Sequence, residues 1–231
     1  MGGGNRVPRN LMVSCQASCG KKGRRVVMLA YERALWKTGC EWVAGIDEAG
    51  RGPLAGPVVA ACVVLPKRAH PKLKGLTDSK QLKPAQRDHY YDRLVEVAVA
   101  IGVGEASCQE IDALNILQAT FLAMRRALDQ IERADHVLVD GNRPIPSLLI
   151  PQQAIVKGDG LSLSIAAASV IAKVTRDRAL ERLHAEYPHY GFDSHKGYGT
   201  KAHYAAIAEH GLSPHHRLTF LKGVAGASSV I

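Results

Sequence analysis

The chain has 231 residues, of which 46% are hydrophobic and 22% charged, proportions that are ordinary for a globular protein. Its apolar runs fall well short of the roughly 18 residues that a membrane-spanning helix needs, which excludes an integral membrane protein. The net charge is +9, but residues 1–25 contribute six of the nine charges and contain no acid, so the remainder is only mildly basic. We predict a basic, disordered tail over residues 1–25 and one folded domain over residues 26–231.

The cysteines give no sign of a metal site or of a disulfide framework. Their number is five, which is odd, and the sequence has no Cys-x-x-Cys pair. A reducing compartment agrees with this usage, and no segment has the apolar core of a signal peptide. We therefore predict a cytoplasmic protein that does not associate with membranes.

The hydrophobic pattern predicts alternating helices and strands along residues 28–210. In chain order the predicted elements are a helix (28–39), two strands (42–48 and 57–65), a helix (84–96), a strand (97–104), a helix (108–131), two strands (136–140 and 153–157) and two helices (164–184 and 200–210). This order indicates an α/β domain with a central sheet.

The predicted helix over residues 108–131 has the clearest signals. Ser107 and Glu110 match a capping box at its start. Its apolar side chains recur three and four residues apart: Leu114, Leu117, Phe121, Met124, Leu128 and Ile131. We predict that this face packs in the core rather than forming a binding surface.

Acidic residues follow two of the predicted strands. Asp47 follows the apolar run 42–46, and Asp140 follows the run 136–139. Oxygen-only ligands at strand ends suit Mg²⁺ or Mn²⁺ rather than zinc. Glu48 adjoins Asp47, and adjacent strand residues point to opposite faces, so sharing one site would require the strand to end, bulge or twist there.

Five short strings occur together in one order along the chain. They are Gly45–Pro53 (GIDEAGRGP), Asp78–Lys80 (DSK), Asp140–Asn142 (DGN), Lys157–Asp159 (KGD) and Ser194–Thr200 (SHKGYGT). On these strings the chain resembles the bacterial ribonuclease HII family over about residues 28–222. The resemblance implies a ribonuclease H-like fold, in which helices flank a mixed five-stranded central sheet and a C-terminal helical part follows.

The resemblance also implies an activity and the residues that carry it. The family hydrolyses the RNA strand of RNA/DNA hybrids and nicks duplex DNA 5′ of embedded ribonucleotides, leaving 3′-hydroxyl and 5′-phosphate ends. The implied catalytic acids, which would hold two Mn²⁺ or Mg²⁺ ions, are Asp47, Glu48, Asp140 and Asp159. The implied substrate-binding residues are Gly50, Arg51, Gly52, Lys80 and Tyr198. Weaker candidates for phosphate contact are Lys157, Ser169, Lys173, Lys196 and Thr200.

Three questions stay open from the sequence. Asp177 competes with Asp159 for the place of the fourth acid, although it lies inside a predicted helix beside two arginines. The chain could instead be another nuclease of the same fold, such as a resolvase or an integrase. It could also be a non-catalytic module that binds hybrids. We predict a monomer whose partners are RNA/DNA hybrids and ribonucleotide-containing duplex DNA.

Overall fold

The computed structural model describes residues 28–68 and 70–222. The predicted tail over residues 1–25 therefore lies outside the described residues. The helices are α1 (Ala30–Lys37), α2 (Pro84–Val97), α3 (Cys108–Leu114), α4 (Ile116–Leu128), α5 (Leu163–Glu186), α6 (Phe192–His195) and α7 (Lys201–His210). The strands are β1 (Val43–Ala49), β2 (Val58–Val64), β3 (Ala100–Ala106), β4 (His136–Asp140) and β5 (Gln152–Ile155).

The five strands form one sheet in the order β3-β2-β1-β4-β5. The pairs β3–β2 and β2–β1 are antiparallel, whereas β1–β4 and β4–β5 are parallel. The sheet is therefore mixed, which confirms the predicted five-stranded architecture. Its central strand, β1, carries the first of the sequence strings and pairs on both sides, so that it lies buried between β2 and β4.

Helices cover both faces of the sheet. On one face α4 packs against β2 and β3, around a core that includes Ile46 and Met124. On the other face the long helix α5 packs against β1 and β2 through its run of small residues, 166–168. Gly45 permits this close approach, since a side chain there would overlap the backbone of Ser164. The small residues of β1 and α5 thus bring α5 directly onto the central strand.

The prediction of one continuous helix over residues 108–131 is wrong. Asn115 has φ of 70° and separates α3 from α4. Its side-chain oxygen accepts the N–H groups of Leu117 and Gln118, so that it caps the second helix. The predicted capping box of Ser107 and Glu110 is confirmed at the start of α3.

The break also alters the predicted apolar face. Phe121, Met124 and Leu128 are buried as expected, but the side chain of Leu114, which precedes the break, is 43% exposed. The periodic pattern continued through Asn115 because hydrophobic spacing does not record a change of backbone direction.

The C-terminal part adds a third core beside the sheet. Its buried residues come from α5, from the segment after it and from the loop between β1 and β2: Leu54, Ala55, Leu180, Tyr190, Phe192, Ala206, Ile207 and Leu221. An isolated antiparallel bridge joins Ala55 to His216. The loop after β1 is thus attached to the C-terminal helices. Across the described part of the chain, every helix is too short or too polar to cross a bilayer.

Candidate active site

Three carboxylates meet at one edge of the sheet. Ile46 pairs with Val139 in the parallel β1–β4 ladder, so Asp47 and Asp140 emerge side by side from the carboxyl ends of neighbouring strands. Asp159 follows β5 in a short 3₁₀ helix, Gly158–Gly160. One carboxylate oxygen from each of these acids lies within 4.8 Å of the others. We call Asp47, Asp140 and Asp159 the three-acid cluster.

Backbone contacts orient the acids of the cluster. Asp140 Oδ1 accepts the N–H of Gly158 at 2.7 Å, which ties the end of β4 to the turn that carries Asp159. Asp47 Oδ1 accepts the N–H of Glu48 at 2.7 Å. Both contacts use only one oxygen of each carboxylate, so further oxygen lone pairs are left for a ligand.

The electrostatics of the cluster favour a bound cation. Burial, with the neighbouring charges of Glu48 and Asp140, raises the pKa of Asp47 well above its usual range. Burial and the charge of Asp140 also raise the pKa of Asp159. Crowded acids that oppose one another's ionisation are stabilised by a positive ion, and an all-carboxylate donor set suits a hard divalent metal. Within the described residues, this is the only group of three or more potential metal ligands that lie this close together.

Glu48 lies at the same edge but outside the three-acid cluster. The pairing of β1 with β2 continues regularly through Ala49, without a bulge, so Glu48 and Asp47 leave opposite faces of the strand. Glu48 Oε1 accepts from Arg51 Nη1 at 3.2 Å. Burial raises the pKa of Glu48, and the Arg51 charge works against that increase. The charge of Asp140 adds to the increase.

Lys80 lies beside the three-acid cluster, next to Asp159. Its Nζ lies 3.8 Å from Asp159 Oδ2, and its side chain is 80% exposed. Burial lowers the pKa of Lys80, but the carboxylates of Asp159 and Asp47 outweigh that effect and raise it overall. The turn that carries Lys80 is anchored to α5, since the hydroxyls of Ser79 and Ser169 lie 2.7 Å apart. Lys80 is thus placed beside the acids while its ammonium remains accessible to a ligand.

The loop that follows β1 places Gly52 beside Tyr198. We call residues 50–57 the glycine-arginine loop. Gly50 has φ of 93°, and Arg51 and Gly52 are exposed. A methyl group added at Gly52 would lie 3.6 Å from Tyr198 Cε1, and Tyr198 is itself 49% exposed. Gly52 and Tyr198 are therefore neighbours on the surface, and Arg51, between Gly50 and Gly52, pairs with Glu48 at the edge of the sheet.

Asp177, the competing acid, lies outside the three-acid cluster. Its Oδ1 accepts from Lys173 Nζ at 2.6 Å, one turn earlier on α5. This ion pair neutralises the Asp177 carboxylate without a bound metal. Asp159 is therefore the acid that the fold brings to Asp47 and Asp140.

The weaker phosphate candidates are mostly occupied by contacts within the protein. Lys173 pairs with Asp177, and Lys196 Nζ donates to Glu181 at 2.8 Å. Ser169 is buried against Ser79, while the hydroxyl of Thr200 caps α7 by accepting the N–H of His203. Lys157 remains exposed beside Asp159.

Sequence reasoning missed two fully buried arginines, Arg176 and Arg217, which contact the glycine-arginine loop. Arg176 continues the face of Ser169 and Ala172 at helical spacing, and both of these residues are buried. The sequence therefore contained a signal for a buried charge, namely an arginine on a helix face of small residues. Arg217 lies in an irregular segment, where no periodicity marks it.

Sequence reasoning also missed a buried pair of hydrogen-bonded histidines, His203 and His216. His203 Nε2 lies 3.1 Å from His216 Nε2, and His203 Nδ1 lies 2.9 Å from the carbonyl oxygen of Tyr198. His216 Nδ1 accepts the N–H of Ser213 at 2.9 Å. The hydrogen bonds therefore suit neutral imidazoles, and burial lowers the pKa of His216 to about 4.

Comparisons with known proteins identify the family of this chain. The model of the ribonuclease HII family matches residues 44–222. Ribonuclease HII of Synechococcus sp. is 52% identical over 193 residues, which are 83% of this chain and 87% of the relative. Ribonuclease HII of Delftia acidovorans is 58% identical over 179 residues, which are 77% and 75% of the two chains.

Solved structures share the fold. Ribonuclease H2 from Pyrococcus horikoshii aligns with a TM-score of 0.65 at 30% identity, covering 77% of this chain and 93% of that one. Ribonuclease HII from Archaeoglobus fulgidus, solved in complex with PCNA, aligns with a TM-score of 0.63 at 26% identity, covering 76% and 93%.

The fold and the three-acid cluster together define a metal-dependent nuclease of the ribonuclease H-like class. The similarity to curated relatives covers most of the chain, and all five strings lie within residues 44–222, which the family model matches. The chain belongs to the ribonuclease HII family, as the sequence predicted.

Proposed function

We propose that this protein is an endoribonuclease that hydrolyses the RNA strand of RNA/DNA hybrids and nicks duplex DNA 5′ of embedded ribonucleotides. The observation that carries the proposal is the three-acid cluster at the edge of the sheet, where Asp47 precedes a glycine-rich loop whose Gly52 adjoins the exposed Tyr198. Family membership supplies the reaction class. The products would be a 3′-hydroxyl and a 5′-phosphate.

The acids Asp47, Asp140 and Asp159, together with Glu48, would hold Mn²⁺ or Mg²⁺, with two ions present during catalysis. When bound, such a metal activates a water molecule and stabilises the charge on the leaving oxygen. Asp47 is the most buried of these acids and is influenced by both Glu48 and Asp140, so we assign it the central, bridging position. Arg51, paired with Glu48, would hold that carboxylate in place beside the cluster.

The proposed substrate-binding residues would hold a nucleic-acid strand beside the acids. Gly50, Arg51 and Gly52 would bring backbone groups close to the ribose 2′-hydroxyl, which distinguishes RNA from DNA. Lys80 would contact a phosphate next to the scissile bond, because its ammonium is exposed beside Asp159. Tyr198 would stack on the sugar that follows the ribonucleotide. We expect the protein to act as a monomer in the cytoplasm.

The test uses a labelled DNA duplex that contains one ribonucleotide, with an all-DNA duplex of the same sequence as the control. Each duplex is incubated with the protein and Mg²⁺ or Mn²⁺, and the cut is mapped at nucleotide resolution. We expect a single nick 5′ of the ribonucleotide that chelator abolishes. Cutting of the all-DNA duplex would indicate a resolvase-like nuclease, and tight hybrid binding without cutting would indicate a binding module.

A further inference from the structure

The backbone of the glycine-arginine loop is held from inside the protein by Arg217. This side chain is fully buried, and its guanidinium donates four hydrogen bonds to three carbonyl groups. Nη2 donates to the carbonyl oxygens of Gly50 and Gly56, both at 2.7 Å. Nη1 donates to the carbonyl oxygen of Arg51 at 3.0 Å, and Nε donates to that of Gly56, also at 3.0 Å. The planar fork of one arginine thus binds both ends of the loop at once.

Arg176 makes a similar set of contacts and joins a second segment. Its guanidinium donates to the carbonyls of Ala55 at 3.2 Å and Pro57 at 3.0 Å. It also donates to the carbonyl of Lys196 at 3.1 Å, two residues before Tyr198. One buried side chain therefore connects the glycine-arginine loop to the segment that presents the tyrosine ring.

Burying these two charges is costly for the protein. Within the described residues, neither guanidinium forms an ion pair with a carboxylate. Burial, and secondly the charge of Arg176, lowers the pKa of Arg217 to about 10. The guanidinium of Arg217 also lies 5.2 Å from the centre of the Phe220 ring. A buried charge without a paired carboxylate is a poor means of stabilising a fold, since apolar residues of similar volume achieve the same packing without desolvation. The arrangement is better explained by the geometry that it imposes on the loop.

That geometry controls where the amide groups of the loop point. In a trans peptide the carbonyl of one residue and the N–H of the next point in opposite directions. The carbonyls of Gly50 and Arg51 point inward to Arg217, so the N–H groups of Arg51 and Gly52 must point outward. These two N–H groups donate no hydrogen bond to any described residue, and both residues are exposed.

We propose that Arg217 and Arg176 are positioning residues for ribonucleotide recognition. Arg217 occupies the carbonyls of Gly50 and Arg51 and thereby aims two N–H donors at the substrate. Arg176 holds the loop at a fixed distance from the Tyr198 segment. The inference rests on the proposed function, and it assigns recognition to the outward N–H groups of Arg51 and Gly52 rather than to the carbonyls that Arg217 occupies.

The experiment compares affinities in an Asp140→Asn background, in which the substrate is not consumed. Binding is measured for a duplex with one ribonucleotide and for the matched all-DNA duplex, and the ratio of the two affinities is the readout. Arg217→Lys and Arg176→Lys keep the charge but lose the planar fork of donors. Met124→Ala, a buried change on the opposite face of the sheet, controls for a general loss of stability.

We expect both lysine variants to lower the affinity ratio by about tenfold or more, because small displacements of recognition groups have large effects. Met124→Ala should leave the ratio unchanged. Amide hydrogen exchange over residues 50–57 should become faster in the lysine variants than in Met124→Ala at equal global stability. This second measurement needs no substrate, and it retains its meaning if one lysine variant folds poorly.

An unchanged ratio with unchanged exchange in the loop would overturn the positioning role. A parallel loss of affinity for both duplexes would also overturn it, since a merely structural role predicts that result. An Asp140→Asn parent that shows no preference for the ribonucleotide duplex would instead refute the proposed function, and with it the substrate role of both arginines. The three failures are therefore distinguishable.

Discussion

Gly50→Ala should destabilise the protein far more than its single methyl group suggests. Gly50 has φ of 93°, a conformation that L-residues adopt at a cost. An added Cβ would overlap the Nε and Cδ atoms of Arg176 and lie 2.8 Å from its Cζ. Arg176 is 1% exposed, so its guanidinium has no adjacent solvent into which it could move. The substitution must therefore displace the guanidinium from the carbonyls that it binds.

The magnitude follows from two contributions. The backbone strain of a non-glycine residue at this φ costs about 1–2 kcal/mol. Each hydrogen bond between a charged group and a buried carbonyl contributes about 1.5–3 kcal/mol, and Arg176 makes three. The loss of one of these bonds brings the total to about 2.5–5 kcal/mol.

Gly39→Ala is the matched control. Gly39 has φ of 97°, and an added Cβ there would meet no atom within 4 Å. This variant should show the backbone strain alone, about 1–2 kcal/mol. For a chain of this size each kcal/mol lowers Tm by about 2–4 °C, so Gly50→Ala should melt roughly 3–12 °C below Gly39→Ala. Calorimetric or fluorescence melting curves measure the difference. Equal values of Tm for the two variants would show that Arg176 moves at no cost, and would refute the reasoning.

Three further changes test the site and its surroundings. Asp140→Asn should abolish cleavage and retain hybrid binding, because it removes a metal-ligand charge without changing shape; product formation and filter binding measure the two effects. Tyr198→Ala should slow cleavage at a single embedded ribonucleotide more than cleavage of a long hybrid, as kcat/KM on each substrate will show. His216→Gln should flatten the dependence of the unfolding free energy on pH between about 6.5 and 4, by up to about 1.4 kcal/mol per pH unit.

The sign of the histidine effect follows from its lowered pKa. In that pH window the unfolded chain takes up a proton at His216 that the folded protein excludes, so wild-type stability falls as the pH falls. If His216→Gln does not reduce the dependence of the unfolding free energy on pH, the two histidines are not buried as a neutral pair.

Matched variants also sharpen the other two tests. Asp177→Asn should keep most activity, since Asp177 pairs with Lys173 outside the three-acid cluster; retained turnover in Asp140→Asn would remove Asp140 from the metal site. Tyr198→Phe should preserve the selectivity that Tyr198→Ala loses, because stacking needs the ring and not the hydroxyl. Equal losses on both substrates would refute the junction-sensing role of Tyr198.

Much of the site could be predicted because its signals are local. Asp47 and Asp140 each follow an apolar strand, and that pattern alone indicated acids at the edge of a sheet. The position of Asp159 depended on the family string Lys157–Asp159, since an acid in a glycine turn is common without a function. Glu48 shows the limit of such reasoning, because only the regular pairing of β1 through Ala49 revealed that it leaves the opposite face from Asp47.

Residues that act through distant contacts were not predictable in this way. Arg217 is 161 residues from Gly56 in sequence, and Arg176 is 119 residues from Pro57. No spacing rule connects such pairs, since their contact depends on how the C-terminal helices pack against the loop after β1. The break at Asn115 escaped prediction for a related reason: a positive φ leaves the hydrophobic pattern unchanged.

The amino-acid sequence was sufficient to predict the family, the α/β class, most of the helices and strands, and the candidate acids of the site. These properties are encoded by side-chain type and short-range spacing, which folding does not alter. The tertiary structure alone decided that β1 and β4 are parallel neighbours, which brings Asp47 and Asp140 together. It also decided that two buried guanidiniums turn the carbonyls of the glycine-arginine loop inward. Both outcomes require segments far apart in the chain to be packed at once, and that information exists only in three dimensions.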